Sequence, residues 1–340
     1  APIRVSGFIR FELGEGIEQA IRQPQVGADW ARTKIIAVKQ KLGDAWPIEL
    51  AAIATDKRHS VRDRKRALEL LALFGPKPTS QLLLTVSEDR EPDLRAYVVR
   101  LMGQRSEPDF HQRLVDLLQD PNARVRRLAC EAVSHRGQQS PSNVLVGLLD
   151  DEDRFVAFAA RRALEKLPAA QWQQEVLETA STRTFLQGAT GLLIAYPSRE
   201  VSLEILRRCE SLIQGNAQNA GRSDGLLTHQ SFLEILRVVQ LALHRGEIAP
   251  QEVPSLTKQL INEFPTSDSA MNRELVKVLA YLDPPEAASL FAQQLANDIP
   301  DVEKLHLAAY APRLRSGWQT EQKLAFLQYY EKARNFKGGY

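Results

Sequence analysis

Apolar positions recur with a fixed 31-residue period in this chain, and they recur together. A fixed period of this length is typical of stacked helix pairs, because each pair must bury its apolar face against the next pair. We therefore predict an all-α chain folded as an α-α superhelix of about eight antiparallel helix pairs. Two of the apolar registers comprise Ala67, Val98, Ala129 and Ala160 and, four positions later, Leu71, Met102, Val133 and Leu164.

One unit of the repeat shows the helical pattern most clearly. Leu114, Leu117 and Leu118 are spaced by three and four residues, which places them on one face of a helix. Pro121 then interrupts the pattern, and a second amphipathic helix is predicted from Val125. Each repeat is thus predicted to be a first helix, a short turn and a second helix.

The period divides the chain of 340 residues into three predicted regions of one continuous solenoid. Residues 47–168 are predicted to be regular repeats, 1–46 an N-terminal helical cap, and 169–340 degenerate repeats with a C-terminal capping helix. The segment Gly215–Gly225 is rich in glycine and lacks an apolar anchor, so we expect a surface loop there. The chain opens Ala-Pro-Ile without a methionine, and we expect it to be one domain excised from a larger protein.

The turn and helix start at Asp120–Ala129 resemble the core of a HEAT repeat, in which Asp-Pro joins two helices and Val-Arg opens the second. The match is good in the units around Asp120 and Asp151 and moderate around Asp56 and Asp89. This resemblance implies a HEAT/ARM-like solenoid that binds other molecules rather than converting them. The period is shorter than the roughly 40–47 residues of long HEAT units.

Arginine and aspartate also follow the same period. In HEAT-like stacks such an arginine usually pairs with the aspartate of a neighbouring turn, so the resemblance implies a ladder of ion pairs. We expect exposed pairs, each contributing about 0–1 kcal/mol; contact of the arginines with a ligand is the alternative. The predicted ladder consists of Arg64, Arg95, Arg126, Asp89, Asp120 and Asp151.

A basic run is the sharpest surface feature of the sequence. Residues 57–66 include six lysines or arginines, whereas the whole chain has a net charge of only +2. Such a run is typical of a solvated helix face, of a site for an acidic protein partner, or of a site for nucleic acid. The possible partner-binding patch consists of Lys57, Arg58, Arg62, Arg64, Lys65 and Arg66.

Motifs that would indicate chemistry are missing from the sequence. The chain contains no Gly-x-Ser-x-Gly, no His-Glu-x-x-His and no phosphate-binding loop, and its six histidines lack a metal-ligand spacing. Cys130 and Cys209 lie in apolar helical patterns and are expected to be buried free thiols. We therefore expect no catalytic residue, cofactor or metal, and we do not expect an enzyme.

A second resemblance concerns the C-terminal end. The segments Ser316–Gln322, Tyr329–Ala333 and Gly338–Tyr340 resemble the end of the HEAT-like region in large secreted planctomycete proteins, which carry a c-type cytochrome domain elsewhere. This chain departs from them in having no Cys-x-x-Cys-His, so no haem is expected on it. The resemblance implies neighbouring domains of the same polypeptide as partners and a periplasmic or secreted location.

Two classes of function are the main candidates from the sequence, and a third, a bilin-lyase-like or haem-handling role, rests on analogy of fold alone. The leading prediction is a non-catalytic protein-interaction scaffold. The alternative is a nucleic-acid-binding protein resembling HEAT-like DNA glycosylases, although the basic run does not continue past residue 66 and the four tryptophans are dispersed. No membrane span is expected, because no apolar run approaches the length of about 18 residues that one requires.

Overall fold

The computed structural model describes residues 16–136, 140–218 and 227–335, and these residues contain helices and no β-strand. The predicted all-α fold class is confirmed. Within this described part, no helix is both long and apolar enough to cross a membrane. Residues 219–225 of the predicted loop and residues 338–340 of the C-terminal resemblance lie outside it.

Over the described ranges the chain contains nineteen α-helices, where about eight helix pairs were predicted. Numbered in chain order, they are α1 (16–21), α2 (Asp29–Leu42), α3 (Ala45–Thr55), α4 (Val61–Phe74), α5 (Ser80–Ser87), α6 (Pro92–Gly103), α7 (Phe110–Asp116), α8 (Ala123–Ser134), α9 (Ser142–Gly147), α10 (Arg154–Leu164), α11 (Gln173–Glu178), α12 (Thr182–Ala195), α13 (Arg199–Gln218), α14 (His229–Arg245), α15 (Pro254–Glu263), α16 (Ser269–Leu282), α17 (Pro285–Ala296), α18 (Asp301–Tyr310) and α19 (Thr320–Ala333).

The second helices of the regular repeats begin at matching positions. Helices α4, α6, α8 and α10 each start one period after the previous one. Side chains cap three of these starts: Ser60 accepts a hydrogen bond from the backbone N–H of Asp63, and Asn122 and Asp153 each accept from two backbone N–H groups of the helix that follows. Such caps satisfy amides that have no partner within the helix, so they fix where each helix begins.

The chain divides into two compact units, of which the first comprises Ala1–Leu145 and Asp151–Leu167. In this unit α4, α6, α8 and α10 pack successively against one another and form a layer of second helices, while α3, α5 and α7 form a layer of first helices. The small register residues Ala67, Ala129 and Ala160 are fully buried. Small side chains at these positions allow neighbouring helices to approach closely.

The second unit comprises Val146–Asp150 and Pro168–Tyr340. Within it α12, α14, α16 and α18 pack in succession, and each also packs against the preceding first helix. The two-layer arrangement therefore persists where the sequence period fades. The three-region division into 1–46, 47–168 and 169–340 stays a prediction.

Helix α13 corrects part of the predicted loop. The helix continues to Gln218, so the first four residues of the segment Gly215–Gly225 are helical. Glycine inside a helix costs only about 1 kcal/mol relative to alanine, which tertiary packing readily offsets.

The two cysteines are buried free thiols, as predicted. Burial raises the pKa of Cys130 and of Cys209 to about 12. Both side chains are therefore protonated at neutral pH and serve as small apolar core residues.

Gly317, between α18 and α19, provides a test of the packing in the second unit. Its φ is +74°, and a Cβ at this position would lie 1.8 Å from the carbonyl oxygen of Pro285. We expect Gly317→Ala to lower the free energy of unfolding by about 2–5 kcal/mol, from backbone strain and overpacking. Urea unfolding followed by circular dichroism measures this loss.

Gly147 supplies the matched control. A Cβ there meets nothing within 4 Å, and the residue lies in α9. Gly147→Ala is therefore expected to leave stability unchanged or to raise it by about 0.5–1 kcal/mol. Equal losses in the two variants would contradict the close approach at Gly317.

Candidate partner-binding groove

The Arg–Asp ladder joins successive turns of the first unit. The Nε and Nη2 of Arg95 donate to the two carboxylate oxygens of Asp120 at 2.7 and 2.8 Å. Arg126 binds Asp151 in the same way, at 2.7 and 2.9 Å. Arg64 donates through Nη2 to Asp89. Each of these arginines is therefore paired with the aspartate of the next turn.

Both members of a ladder pair also bind the backbone. The Oδ1 of each aspartate accepts from an N–H two residues further on, those of Glu91, Asn122 and Asp153, at 2.8–3.0 Å. The Nη1 of Arg95 donates at 2.8 Å to the carbonyl oxygen of Asp89, the aspartate of its own turn. The ladder thereby connects the backbone of one turn to the backbone of the next.

The structure corrects the expectation that these pairs are exposed. The side chains of Arg64 and Asp89 are only 4% and 5% exposed, and the other two aspartates of the ladder are equally buried. An aspartate in this position is enclosed because its turn lies between two helix pairs. Removing one partner of a buried pair leaves an uncompensated charge, which costs far more than the loss of a surface pair.

The ionisation of the ladder follows from its hydrogen bonds. Burial alone would raise the pKa of Asp89, but the hydrogen bonds from Arg64 and from the backbone N–H of Glu91 outweigh it and hold the pKa below its ordinary value of 3.8. Hydrogen bonds to Asp120 and Asp151 raise the pKa of Arg95 and of Arg126. Asp89, Arg95 and Arg126 are therefore charged at neutral pH.

The predicted basic patch is not one surface. Arg64 does not belong to it, because its guanidinium is buried between the carbonyl oxygen of Ala54, at 3.1 Å, and Asp89. Arg58 turns back to Asp56, with Nη2–Oδ2 at 2.7 Å, and its hydrogen bonds lower the pKa of that carboxyl to about 2. Lys57 is exposed and lies outside the groove described next.

The remaining three residues of the patch line a groove of 680 Å³ formed by α4, α6 and α8. Three further arginines reach the same groove from the two neighbouring helices. The groove also contains two carboxylates, the ring of Tyr97 and a few apolar side chains. Its cationic lining consists of Arg62, Lys65, Arg66, Arg100, Arg124 and Arg127.

Two of these six cations are paired within the groove. Arg66 is 3.0 Å from Glu69, and Arg124 is 2.9 Å from Asp93. Arg127 is also 3.7 Å from Glu131 of its own helix. Six cations still exceed these three carboxylates in number, so the walls of the groove have an excess of positive charge. Such an excess attracts an anionic group and is strengthened by the low-dielectric walls of a cleft.

The aromatic ring of Tyr97 contacts two of the cations that line the groove. The ammonium of Lys65 lies 5.5 Å from the ring centroid and the guanidinium carbon of Arg100 lies 5.0 Å from it, both within cation–π range. Burial raises the pKa of the Tyr97 hydroxyl, which is neutral at physiological pH. The ring therefore contacts two of the six cations that line the groove.

Three of the groove arginines were missed by the sequence reasoning. Arg124 and Arg127 lie two periods after Arg62 and Lys65. Since the second helices pack in succession, residues two periods apart lie on the same outward face. A search for basic residues at twice the period would have found these two, whereas Arg100 follows no such relation to the predicted patch.

A second set of arginines was also missed, and its role is structural. Arg105 donates to the carbonyl oxygen of Pro78 at 2.6 Å, and Arg136, one period later, donates to the carbonyl oxygen of Arg105 at 2.9 Å. These contacts satisfy carbonyl groups beyond the ends of the second helices. The described residues include no group of three or more His, Cys, Asp or Glu that could hold a metal ion.

Residues 79–165 match the family model for HEAT repeats. This range includes α6, α8, α10 and all three aspartates of the ladder. Residues 79–165 therefore form HEAT-like repeats, as the first resemblance stated from the sequence predicted for this region. No curated protein matches the chain in sequence.

Among solved structures, the chain is similar to human deoxyhypusine hydroxylase in complex with glycerol, with 18% identity, 81% of this chain and 99% of that chain covered, and a TM-score of 0.30. It is also similar to the karyopherin Kap121p bound to the SUMO protease Ulp1p, with 10% identity, 93% of this chain and 46% of that chain covered, and a TM-score of 0.37. It is likewise similar to Kap121p bound to Ste12p, with 11% identity, 96% of this chain and 48% of that chain covered, and a TM-score of 0.37. The chain spans a little under half of the karyopherin chains, and nothing about its activity or partners follows from TM-scores this low.

Removal of a ladder arginine tests the importance of burial. We expect Arg95→Ala to lower the free energy of unfolding by about 3–5 kcal/mol, because Asp120 stays buried without its counter-charge. The control is Arg124→Ala, which breaks an exposed pair with Asp93 and is expected to cost about 0–1 kcal/mol. Urea unfolding at neutral pH measures both, and similar losses would contradict the distinction between them.

The pH dependence of the ladder can be predicted from the lowered pKa of Asp89. At pH values between the pKa of Asp89 in the folded state and its ordinary value of 3.8, the unfolded chain binds more protons than the folded chain. The free energy of unfolding therefore falls as the pH falls through this interval. The stability difference between the wild type and Asp89→Asn is therefore expected to be constant above about pH 5 and to shrink at lower pH. Urea unfolding from neutral to acidic pH measures this difference; a difference independent of pH would contradict the assignment.

Proposed function

We propose that this chain is a non-catalytic protein-interaction scaffold whose groove on α4, α6 and α8 binds an acidic segment of a protein partner. The observation that carries the proposal is the excess of cations in one cleft of a chain that is otherwise nearly neutral. Repeat arrays of this kind use extended surfaces of successive helices for binding.

The carboxylates of Glu69 and Asp93 favour a peptide over nucleic acid as the ligand. Each lies within the groove beside an arginine, so two negative groups interrupt the cationic lining. A nucleic-acid backbone has a phosphate at every step and is repelled by such carboxylates, whereas a peptide can place acidic and neutral residues where the lining requires them. Nucleic-acid binding remains the alternative and becomes an outcome of the test.

The source of the acidic segment is part of the same proposal. The resemblance to the secreted planctomycete proteins favours a neighbouring domain of the same polypeptide, in the periplasm or outside the cell. A separate protein with an acidic segment would use the same groove. In either case the chain contributes a binding surface, with no haem or other cofactor of its own.

The test compares a fluorescein-labelled Asp/Glu-rich peptide, a neutral peptide of the same length and a labelled DNA duplex, by fluorescence anisotropy at low and high salt. We expect the acidic peptide to bind, with an affinity that falls as salt rises. The double variant Arg62→Ala/Lys65→Ala is expected to weaken binding about tenfold, at roughly 0.7 kcal/mol for each charge removed.

The matched control is Lys57→Ala/Arg58→Ala, which removes the same charge from the same basic run but outside the groove. It is expected to leave the affinity for the acidic peptide nearly unchanged. Equal weakening by the two variants would show attraction by the run as a whole and contradict the groove. Tighter binding of the DNA duplex than of the peptide would support the nucleic-acid alternative instead.

A further inference from the structure

Helix α10 presents two exposed aromatic side chains. Phe155 and Phe158 are 51% and 52% exposed, although phenylalanine is usually buried in a folded domain. They are three residues apart in one helix and therefore lie on the same face. Val156 and Ala160, on the opposite face of α10, are fully buried and contribute to the core, so the two rings are not required for packing.

The register of the repeat places these rings beside the groove. Phe155 lies one period after Arg124, and Phe158 lies one period after Arg127. Helices α8 and α10 pack directly against each other and also start one period apart, so equivalent positions point outward on the same side of the layer. The aromatic pair therefore continues the groove face by one helix.

Each ring has an arginine next to it. The guanidinium carbon of Arg154 lies 4.8 Å from the ring centroid of Phe155, and that of Arg161 lies 5.1 Å from the centroid of Phe158. Arg161 is also 3.4 Å from Glu165 and its side chain is only 16% exposed, so the accessible positive charge beside the rings comes from the exposed Arg154. A partner that reaches these rings meets apolar surface with a cation at one edge, which suits an apolar side chain with an acidic neighbour.

We propose that the groove and the aromatic pair form one composite site, which binds an acidic segment followed by an apolar anchor residue. This inference rests on the proposed function and specifies its partner. Neighbouring helices are about 8–10 Å apart, so α10 lies about 16–20 Å from α6 at the centre of the groove. An extended peptide covers about 3.3 Å per residue, which places the anchor about five or six residues beyond the acidic segment.

The energetic roles of the two parts differ. Acidic side chains in the groove direct the encounter and set the orientation of the peptide, and their effect is weakened by salt. An apolar side chain against two exposed rings removes water from both partners, and buried aromatic contacts of this kind dominate interface energies. The anchor should therefore add affinity that is largely independent of salt.

Two labelled peptides test the composite site on the full chain by fluorescence anisotropy. One is an acidic segment followed by a neutral Gly/Ser tail, and the other is identical except for a leucine about six residues into the tail. The wild type is expected to bind the leucine peptide about tenfold more tightly. A third peptide, with the leucine directly after the acidic segment, is expected to lose this gain.

The variant Phe155→Ser/Phe158→Ser is expected to bind the leucine peptide and the leucine-free peptide equally, at the affinity that the wild type has for the latter. The matched control is Ile48→Ser, which removes an exposed apolar side chain from α3, in the layer of first helices. It is expected to keep the gain. Both phenylalanines are half exposed, and circular dichroism verifies that the variant is folded.

The outcomes separate this inference from the proposed function. Equal affinity of the wild type for all three acidic peptides would overturn the composite site and leave the groove proposal intact. Failure of every acidic peptide to bind would overturn both. Dimerisation of the free wild type that is lost in Phe155→Ser/Phe158→Ser would assign the rings to a second copy of the chain and also overturn the inference.

Discussion

The buried pair formed by the guanidinium of one turn and the carboxylate of the next sets the relation between successive repeats. An apolar interface between two helices tolerates small rotations and shifts, because dispersion and burial are not directional. A bidentate Arg–Asp pair that also binds backbone groups at both ends has a strict geometry. The helices that follow these turns are the ones that carry the groove, so the spacing of its cations depends on the ladder.

Along each second helix, the inward and outward positions serve different purposes. The inward positions recur as small or aliphatic residues, since each must fit the same gap between neighbouring helices. One outward position is occupied in successive repeats by Arg62, Asp93, Arg124 and Phe155. Packing places little constraint on such positions, so the residue there can change from cationic to aromatic between successive repeats while the fold stays the same.

The resemblance to HEAT repeats implied the pairing of the ladder, and the spacing of apolar residues predicted the irregular helices of the second half, whereas the sequence period predicted the helices of the regular repeats. It did not predict the burial of Asp89, because spacing alone does not tell how deeply a turn lies between its neighbours. Arg64 fitted both the basic run and the ladder, and a choice between them requires knowing which face of α4 it occupies. Arg100, Arg124 and Arg127 were missed because the groove is formed by three helices, whereas the sequence was read for runs within one segment.

The ladder also has a consequence for the rate at which the chain folds. Each of its pairs joins residues 25 positions apart in the sequence. The entropy lost in closing a chain segment rises only slowly with its length, and contacts between nearby residues can form before distant parts of the chain have met. A nucleus of two adjacent repeats can therefore acquire its specific polar contacts early. Each further repeat can then form its own ion pair with this nucleus, because the two residues of that pair are again only 25 positions apart.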